Sequence, residues 1–417
     1  MSLPVKDTRE QTEDVKGNGI KFSDMKLNPQ LVASLRKCNF VEATPIQEQA
    51  IPIILNGVDV VARAKNGTGK TGAFSIPILN NIKLTSNNIQ AIVIAHTKEL
   101  AMQLAFNIKQ FGSMLTGLED RVMCLVGGVD VKEDLERLKK NPVIIVGTPA
   151  RIKSFIDHRS IHFNKVNTFV VDEADKLIGE QTFEADLRFL IQSCPADVQK
   201  CLFSATFPKS VETFCNELMN NPEMVNCMTT SLTLQGVTQY IANVREEKYK
   251  VMLVNALFKK LQINQCIVFV NNYTKCEPLS YMLSNELKIP ALFVHSKMDL
   301  EERSKIFHDF SQGNARVLVT TDLYTRGIDI RTVNVVINFE VPNGSDDYLH
   351  RIGRCGRFGH RGLAITLMAN ENERQKFLKI DQVIQGIQQN QIQNLPQDLN
   401  QIPASIYACS ASQLQMK

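Results

Sequence analysis

The stretch Ala64-Lys65-Asn66-Gly67-Thr68-Gly69-Lys70-Thr71 leaves little choice in the fold around it. An apolar run at 58–62 leads into it, and a helical pattern at 72–82 leads out. Strand, Gly-containing loop, Lys-Thr and helix form the layout of a phosphate-binding loop. Loop amides and the open N–H groups of the first helical turn converge on one spot, where an anionic triphosphate fits. Gly67 and Gly69 let the backbone come close. Lys70 is placed to neutralise the β- and γ-phosphates and Thr71 to hold Mg²⁺, with Ala64, Lys65, Asn66, Thr68 and Gly72 completing the cradle. The usual pattern opens with Gly where this chain has Ala64, and a plain Gly-rich turn before a Lys-capped helix is the competing reading.

A second stretch weighs against that alternative. An apolar strand pattern at 167–172 ends in Asp172-Glu173-Ala174-Asp175. Ligands of open α/β sheets collect at the carboxyl ends of strands. A strand ending in Asp-Glu therefore delivers two carboxylates beside the phosphate loop. Asp172 suits Mg²⁺, held through water, and Glu173 is placed to orient or deprotonate an attacking water.

The 417 residues suit two domains better than one. Hydrophobic residues make up 44% and charged residues 22%, as in ordinary globular proteins. Net charge is +4, so a nucleic-acid surface has to be local and not a global basic field. Ten cysteines without a Cys-x-x-Cys pair favour reduced thiols over disulfides or zinc. No apolar run is long enough for a membrane span. Residues 1–19 read as a disordered polar arm and not as a signal peptide.

Strand patterns recur at 58–62, 90–95, 121–126, 143–147, 167–172 and 200–203, with helices between, which predicts a parallel sheet buried on both faces. Polar, Thr-rich residues 227–239 read as a linker between domains at 20–226 and 240–407. Strand patterns resume at 265–270, 291–295, 316–320, 333–338 and 363–368, with a helix at 299–311. This half has no Gly-Lys-Thr loop, so any part it plays in phosphate chemistry has to be played across a cleft. Gln- and Asn-rich residues 381–401 read either as a weakly ordered tail or as a lead-in to Ile402, Pro403, Ile406 and Tyr407 docking on the second domain. Residues 408–417 are a tail.

Further constellations narrow the chemistry. The Gln47 amide offers one donor and one acceptor, the pattern that adenine N7 and N6 require, and Phe40 nearby can stack on a ring. His350, Arg351, Arg354 and Arg357 gather at a Gly-rich turn and suit a phosphate oxyanion. Arg354 and Arg357 are candidate arginine fingers. Asp329 follows a strand end and can accept from a ribose hydroxyl.

Together these residues resemble the DEAD-box RNA helicase family, from about residue 22 to 407. The resemblance is carried by Phe22, Phe40 and Gln47, by 64–71 and by Asp172–Asp175. Gly127-Gly128, Ser204-Ala205-Thr206, Arg326-Gly327-Ile328-Asp329 and 350–357 add to it. An Ala opening the phosphate loop is normal there. Stretches 232–240, 261–265 and 358–360 look like the subgroup that represses translation and activates mRNA decapping. The resemblance implies an α/β fold of two tandem RecA-like domains closing on ATP, Mg²⁺ and single-stranded RNA. It implies ATP contacts from Phe22, Phe40, Gln47 and Asp329, and a coupling role for Ser204 and Thr206. It implies RNA contacts from Thr97, Lys98, Gly127, Gly128, Thr148, Arg151, Arg303 and Thr321. It also implies a cytoplasmic monomer, in ribonucleoprotein granules, with decay and repression proteins docking on the second domain.

The chain departs from the family where RNA is held. The family's Pro-Thr-Arg-Glu-Leu-Ala is here His96-Thr97-Lys98-Glu99-Leu100-Ala101, its Thr-Pro-Gly-Arg is Thr148-Pro149-Ala150-Arg151, and its Gln-x-x-Arg is Leu300-Glu301-Glu302-Arg303. Lys for Arg loses a planar fork, Ala150 adds a methyl, and Leu300 cannot hydrogen-bond. Two rival readings remain beside the helicase: a slow-turnover RNA-binding scaffold and a DNA-directed translocase.

Overall fold

The structure is a computed structural model, which describes residues 16–65, 67–228, 236–322, 330, 332–356, 361–385 and 392–407. They divide into two compact units, on either side of residues 229–235.

In the first unit, short apolar runs form seven parallel strands: β1 Val60–Arg63, β2 Ala91–Ile94, β3 Val122–Leu125, β4 Ile144–Gly147, β5 Thr168–Asp172, β6 Gln199–Ser204 and β7 Glu223–Asn226. Their order in the sheet is β3-β4-β2-β5-β6-β1-β7. Every residue of β2, β4, β5 and β6 is buried, as expected where helices cover both faces. One face packs Phe169, Leu190 and Phe214 into a common core, while Phe74 of helix Lys70–Asn81 meets Phe203 at a centroid distance of 5.2 Å. The order has a chemical consequence. Strand β6 lies between β1 and β5, so the loop after β1 and the acids after β5 open on the same edge.

The second unit repeats the scheme with β8 Val237–Asn243, β9 Gln265–Phe269, β10 Ala291–Val294, β11 Val317–Thr320, β12 Val333–Asn338, β13 Gly362–Met368 and β14 Gln393–Asn394. Its order is β10-β11-β9-β12-β13-β8-β14. Both faces carry apolar clusters, one around Leu257, Val268 and Ile337, the other around Phe310, Val336 and Tyr348.

Three expectations change. The phosphate-loop helix begins at Lys70 and not at residue 72, because Gly69 at φ 105° turns the chain directly into the first turn. Residues 237–239 belong to β8, so the Thr-rich stretch is not all linker. Val237 and Gln239 point into the protein, and Thr is at home in strands. Asn18 belongs to the folded first unit and not to an arm, because Glu48 accepts its backbone N–H at 2.7 Å and its side-chain amide at 2.8 Å.

Of the two readings of the C-terminal stretch, docking describes the structure. Ile402, Ile406 and Tyr407 are buried in the second unit, and Asn334 Nδ2 donates to the Tyr407 carbonyl. Among the described residues no disulfide forms, and no helix is long and apolar enough to cross a membrane. Each docked side chain is worth about 2 kcal/mol of burial. Truncation after Gln401 is therefore expected to lower the midpoint of thermal unfolding of the second unit by several degrees, followed by calorimetry. An unchanged midpoint would show that the docked tail contributes nothing.

Candidate active site

The phosphate loop is held tightly before any ligand arrives. Ala64 is fully buried, and its N–H donates to the Ser204 carbonyl at 3.2 Å, fastening the end of β1 to the end of β6. Gly67 and Gly69 take φ values of 79° and 105°, which side-chain-bearing residues rarely adopt. Thr68 Oγ1 donates to the Lys65 carbonyl at 2.8 Å, and Lys70 Nζ donates to the Ala64 carbonyl at 3.0 Å. Thr71 and Gly72 follow in the first helical turn. Asn66 lies outside the described residues.

Gln47 braces this loop. It sits in the first turn of helix Pro45–Leu55, 1% exposed, with Oε1 accepting from Thr44 N at 3.0 Å and Nε2 donating to the Gly69 carbonyl at 3.0 Å. A Cβ at Gly69 or Gly72 would come within 2.6 or 2.5 Å of Nε2, so glycine at both positions is what lets the amide lie there. Phe22 and Phe40 lie near one another, centroids 6.4 Å apart. Phe22 is buried, while Phe40 is half-buried with an edge contact to Phe111 at 4.8 Å.

The acids follow β5. Asp172 is 4% exposed and accepts the Glu173 N–H at 2.9 Å. Burial pushes its carboxyl up to about 7; the neighbouring Lys70 ammonium pulls the other way, and the Glu173 charge adds to the rise. Glu173 takes the left-handed conformation at φ 51°, which turns the chain out of the strand. Asp175 faces Ser204 and Thr206: Ser204 Oγ is 2.6 Å from Oδ1, and Thr206 Oγ1 donates to Oδ2 at 2.8 Å. Burial alone would raise Asp175, but these hydroxyls and nearby Lys176 hold it below the usual carboxylate range. Among the described residues no three His, Cys, Asp or Glu side chains cluster as a metal cage. The buried Asp172 carboxylate and the Thr71 hydroxyl instead fit a hard cation that takes its other ligands from phosphate and water, as Mg²⁺ does.

The other expected residues gather on the far half of the same edge, after β3, β4 and β2. Thr97 Oγ1 caps helix Lys98–Phe111 by accepting from Leu100 N at 3.2 Å. Lys98 reaches back over Gly127 and Gly128, where a Cβ on Gly128 would lie 3.2 Å from Nζ. Thr148 stands at the N-cap of helix Pro149–Asp157, and Ala150 in that helix is exposed. Arg151 is committed elsewhere, donating to the fully buried Asp134 at 2.7 Å and to the Val129 carbonyl at 2.8 Å.

In the second unit the basic turn divides in two. Arg351 is fully buried and donates two bonds to Asp322, at 2.6 and 2.9 Å, and others to the Glu340 carbonyl and Asn271. It is a structural group and not part of the expected phosphate cluster. Arg354 is 2% exposed, with Nε donating to the His350 carbonyl at 3.1 Å. Arg303 is buried in helix Leu300–Ser311, and Thr321 follows β11 half-exposed. Arg357 and Asp329 lie outside the described residues. Elsewhere in this unit an open groove of about 690 Å³ is lined by Val251, Met252, Leu279, Met282 and Phe339, with Lys248 at its rim.

Comparison with known proteins agrees with this geometry. The family model for the DEAD/DEAH box helicase matches residues 44–214, and that for the helicase conserved C-terminal domain matches 245–359. The ATP-dependent RNA helicase DHH1 of Vanderwaltozyma polyspora is 43% identical over 92% of this chain and 78% of its own length. DEAD-box ATP-dependent RNA helicase 8 of Arabidopsis thaliana is 44% identical over 89% of this chain and 72% of its own. The chain belongs to the DEAD-box RNA helicases. Its two sheets are the tandem RecA-like domains of that family. S. cerevisiae Dbp5 bound to RNA and ADP BeF3 superposes with TM-score 0.79 at 27% identity, covering 91% of this chain and 96% of that one. Mss116p bound to ssRNA and AMP-PNP gives TM-score 0.79 at 26% identity, covering 93% of this chain and 82% of that one.

Sequence reading of this DEAD-box chain left out the part that Asp175 plays, although Ser-x-Thr two residues apart on a strand end signals a pair of hydroxyls for one carboxylate. It also left out what His96 touches. The Asp172 carboxyl yields a test of its own. Its ionised form is disfavoured by folding. That cost is absent below about pH 4, where the carboxyl is neutral folded or unfolded, grows up to its raised value near 7 and is constant above. Without nucleotide or metal, Asp172→Asn is expected to unfold at a higher temperature than the parent at pH 8, by on the order of 1 kcal/mol or more, the gap closing toward pH 4. A gap that ignores pH would show that burial does not strain this carboxylate.

Proposed function

We propose that the protein is an RNA-dependent ATPase whose two domains close on ATP and single-stranded RNA, displacing short duplexes or bound proteins and reopening after hydrolysis. The observation that carries this is the convergence of Lys70, Asp172 and Glu173 on one strand edge around a glycine loop. In this reading Lys70 binds the β- and γ-phosphates. Thr71 and Asp172 hold Mg²⁺, whose charge would offset that of the phosphates. Glu173 takes the proton as the oxygen of an attacking water bonds to the γ-phosphorus and the bond to ADP breaks. Gln47 keeps one N–H and one lone pair for the adenine edge, where guanine would set acceptor against acceptor. Arg354 and Arg357 supply positive charge from the second domain, which has no phosphate loop of its own. Thr97, Lys98, Gly127, Gly128, Thr148 and Arg151, with Arg303 and Thr321, hold the RNA backbone. The resemblance of stretches 232–240, 261–265 and 358–360 to the translation-repressing subgroup favours a role in repression, storage or decay of mRNA, in the cytoplasm, with partner proteins docking on the second domain. The open groove there supports such docking.

Steady-state ATPase titrated with RNA and with DNA tests this. The parent should hydrolyse ATP in preference to GTP and respond to RNA. Lys70→Ala should lose nucleotide binding, and Glu173→Gln should bind and stall. Arg354→Ala or Arg357→Ala should lower kcat by about 10³-fold with little change in ATP affinity. Equal stimulation by DNA would favour a translocase, and hydrolysis by Glu173→Gln at the parent rate would remove that residue from the chemistry.

The slow-turnover scaffold is the second reading, favoured by Lys98, Ala150 and Leu300 in place of family residues better suited to grip RNA. Restoring Arg at 98, Gly at 150 and Gln at 300 should tighten RNA binding, by about 1 kcal/mol for each hydrogen bond to phosphate regained. RNA stimulation should rise in parallel, since RNA and ATP favour the same closed state. An RNA affinity unchanged with a non-hydrolysable ATP analogue would show that neighbouring residues already compensate.

A further inference from the structure

His96 stands where the family has proline, directly after β2, and Lys98 begins the next helix. Strands β2 and β5 are hydrogen-bonded neighbours in register Ile94 with Val171. Continuing that register by two residues sets His96 opposite Glu173. Their side chains meet: Nδ1 of His96 lies 3.2 Å from Oε2 of Glu173, and each side chain is only about a tenth exposed, at 10% and 12%. The atoms are within hydrogen-bond reach but lack the alignment of a full hydrogen bond. Such pairs commonly straighten when a catalytic site closes on its substrate. Proline offers no polar side chain, so this contact depends on the histidine that stands in its place.

We propose that His96 is a positioning residue for Glu173: its Nδ1–H holds one carboxylate oxygen so that the other faces the attacking water, and it ties that orientation to the RNA-binding residues Thr97 and Lys98 beside it. The inference rests on Glu173 being the base. Three features support it. Glu173 leaves β5 in the left-handed conformation, so its backbone is set by the turn and the remaining freedom lies in the side chain. A neighbour held between the end of an adjacent strand and the start of the next helix is a firm place from which to restrict that freedom. And β2 is the strand whose end carries Thr97, the cap of helix Lys98–Phe111, and Lys98, poised over Gly127 and Gly128. A strand of RNA drawing on Thr97 and Lys98 acts one or two residues from the imidazole. RNA can therefore set the carboxylate without touching it.

The test compares His96→Leu, which fills the space without a donor, with His96→Asn, whose amide nitrogen can occupy the place of Nδ1. RNA-saturated kcat, KM for ATP, RNA affinity with AMP-PNP and thermal midpoint are measured on the full chain, with Glu173→Gln in parallel. His96→Leu should lower RNA-saturated kcat by about 10-fold, an effect of the size expected for a lost hydrogen bond to a charged group. KM, RNA affinity and midpoint should stay within about two-fold or two degrees of the parent. His96→Asn should recover most of the rate. An unchanged kcat in His96→Leu overturns the inference, as does a fall in kcat matched by a fall in RNA affinity, or an Asn variant no better than Leu. If Glu173→Gln itself retains hydrolysis, the base assignment fails and His96 falls with it; if Glu173→Gln is dead while His96→Leu is active, only the positioning role is lost.

Discussion

A carboxylate and an ammonium sharing one dry corner set the terms for the first domain. Asp172 is 4% exposed and Lys70 7%, and burying either charge alone would cost several kcal/mol. The corner is tolerated because each group lowers the cost of the other, because Lys70 donates to the Ala64 carbonyl and because Asp172 accepts the next N–H along the chain. That mutual dependence requires β1 and β5 to end together, which the intervening β6 brings about. It also requires tight turns at both ends, and Gly69 and Glu173 supply them with left-handed backbones.

Much of this was legible in the chain because phosphate chemistry uses contiguous residues. A loop whose amides must point at one spot has to be written in one stretch, and so does a strand that ends in acids. The alternation of short apolar runs likewise announces a parallel sheet. Less legible was whatever depends on which strands are neighbours. His96 and Glu173 are 77 positions apart and meet because β2 lies beside β5, which is not its sequence neighbour. Burial was also hidden within short basic runs. Arg351 and Arg354 look like surface charges in the sequence, yet both are buried, and Arg351 spends its guanidinium on Asp322, Asn271 and the Glu340 carbonyl. Polar composition misled at 237–239, where Thr238 is half-buried and the buried Gln239 accepts from the Tyr348 hydroxyl at 2.8 Å.

Gln47 shows how a buried amide can be fixed at both of its ends. A primary amide has two N–H groups and two lone pairs. The Thr44 amide and the Gly69 carbonyl use one of each, which locks the plane of the side chain and leaves one of each over. The leftover pair is the combination the edge of adenine takes. Because Gly69 lies within the glycine loop, the Gln47 side chain and the loop brace each other, and little freedom of that amide would be left for a ligand to order.

Gln393 and Asn394 close one margin of the second sheet. Strand β14 lies at the sheet margin, where it pairs with β8 over two residues, and Leu395 continues the ladder by donating to the Ile241 carbonyl. A sheet margin with open amides and carbonyls invites another chain to add a strand, the first step toward aggregation. Both residues of β14 are exposed, and the strand is too short to template a partner. Gln393 and Asn394, in a run whose composition suggests disorder, form an exposed margin that offers other chains little to pair with.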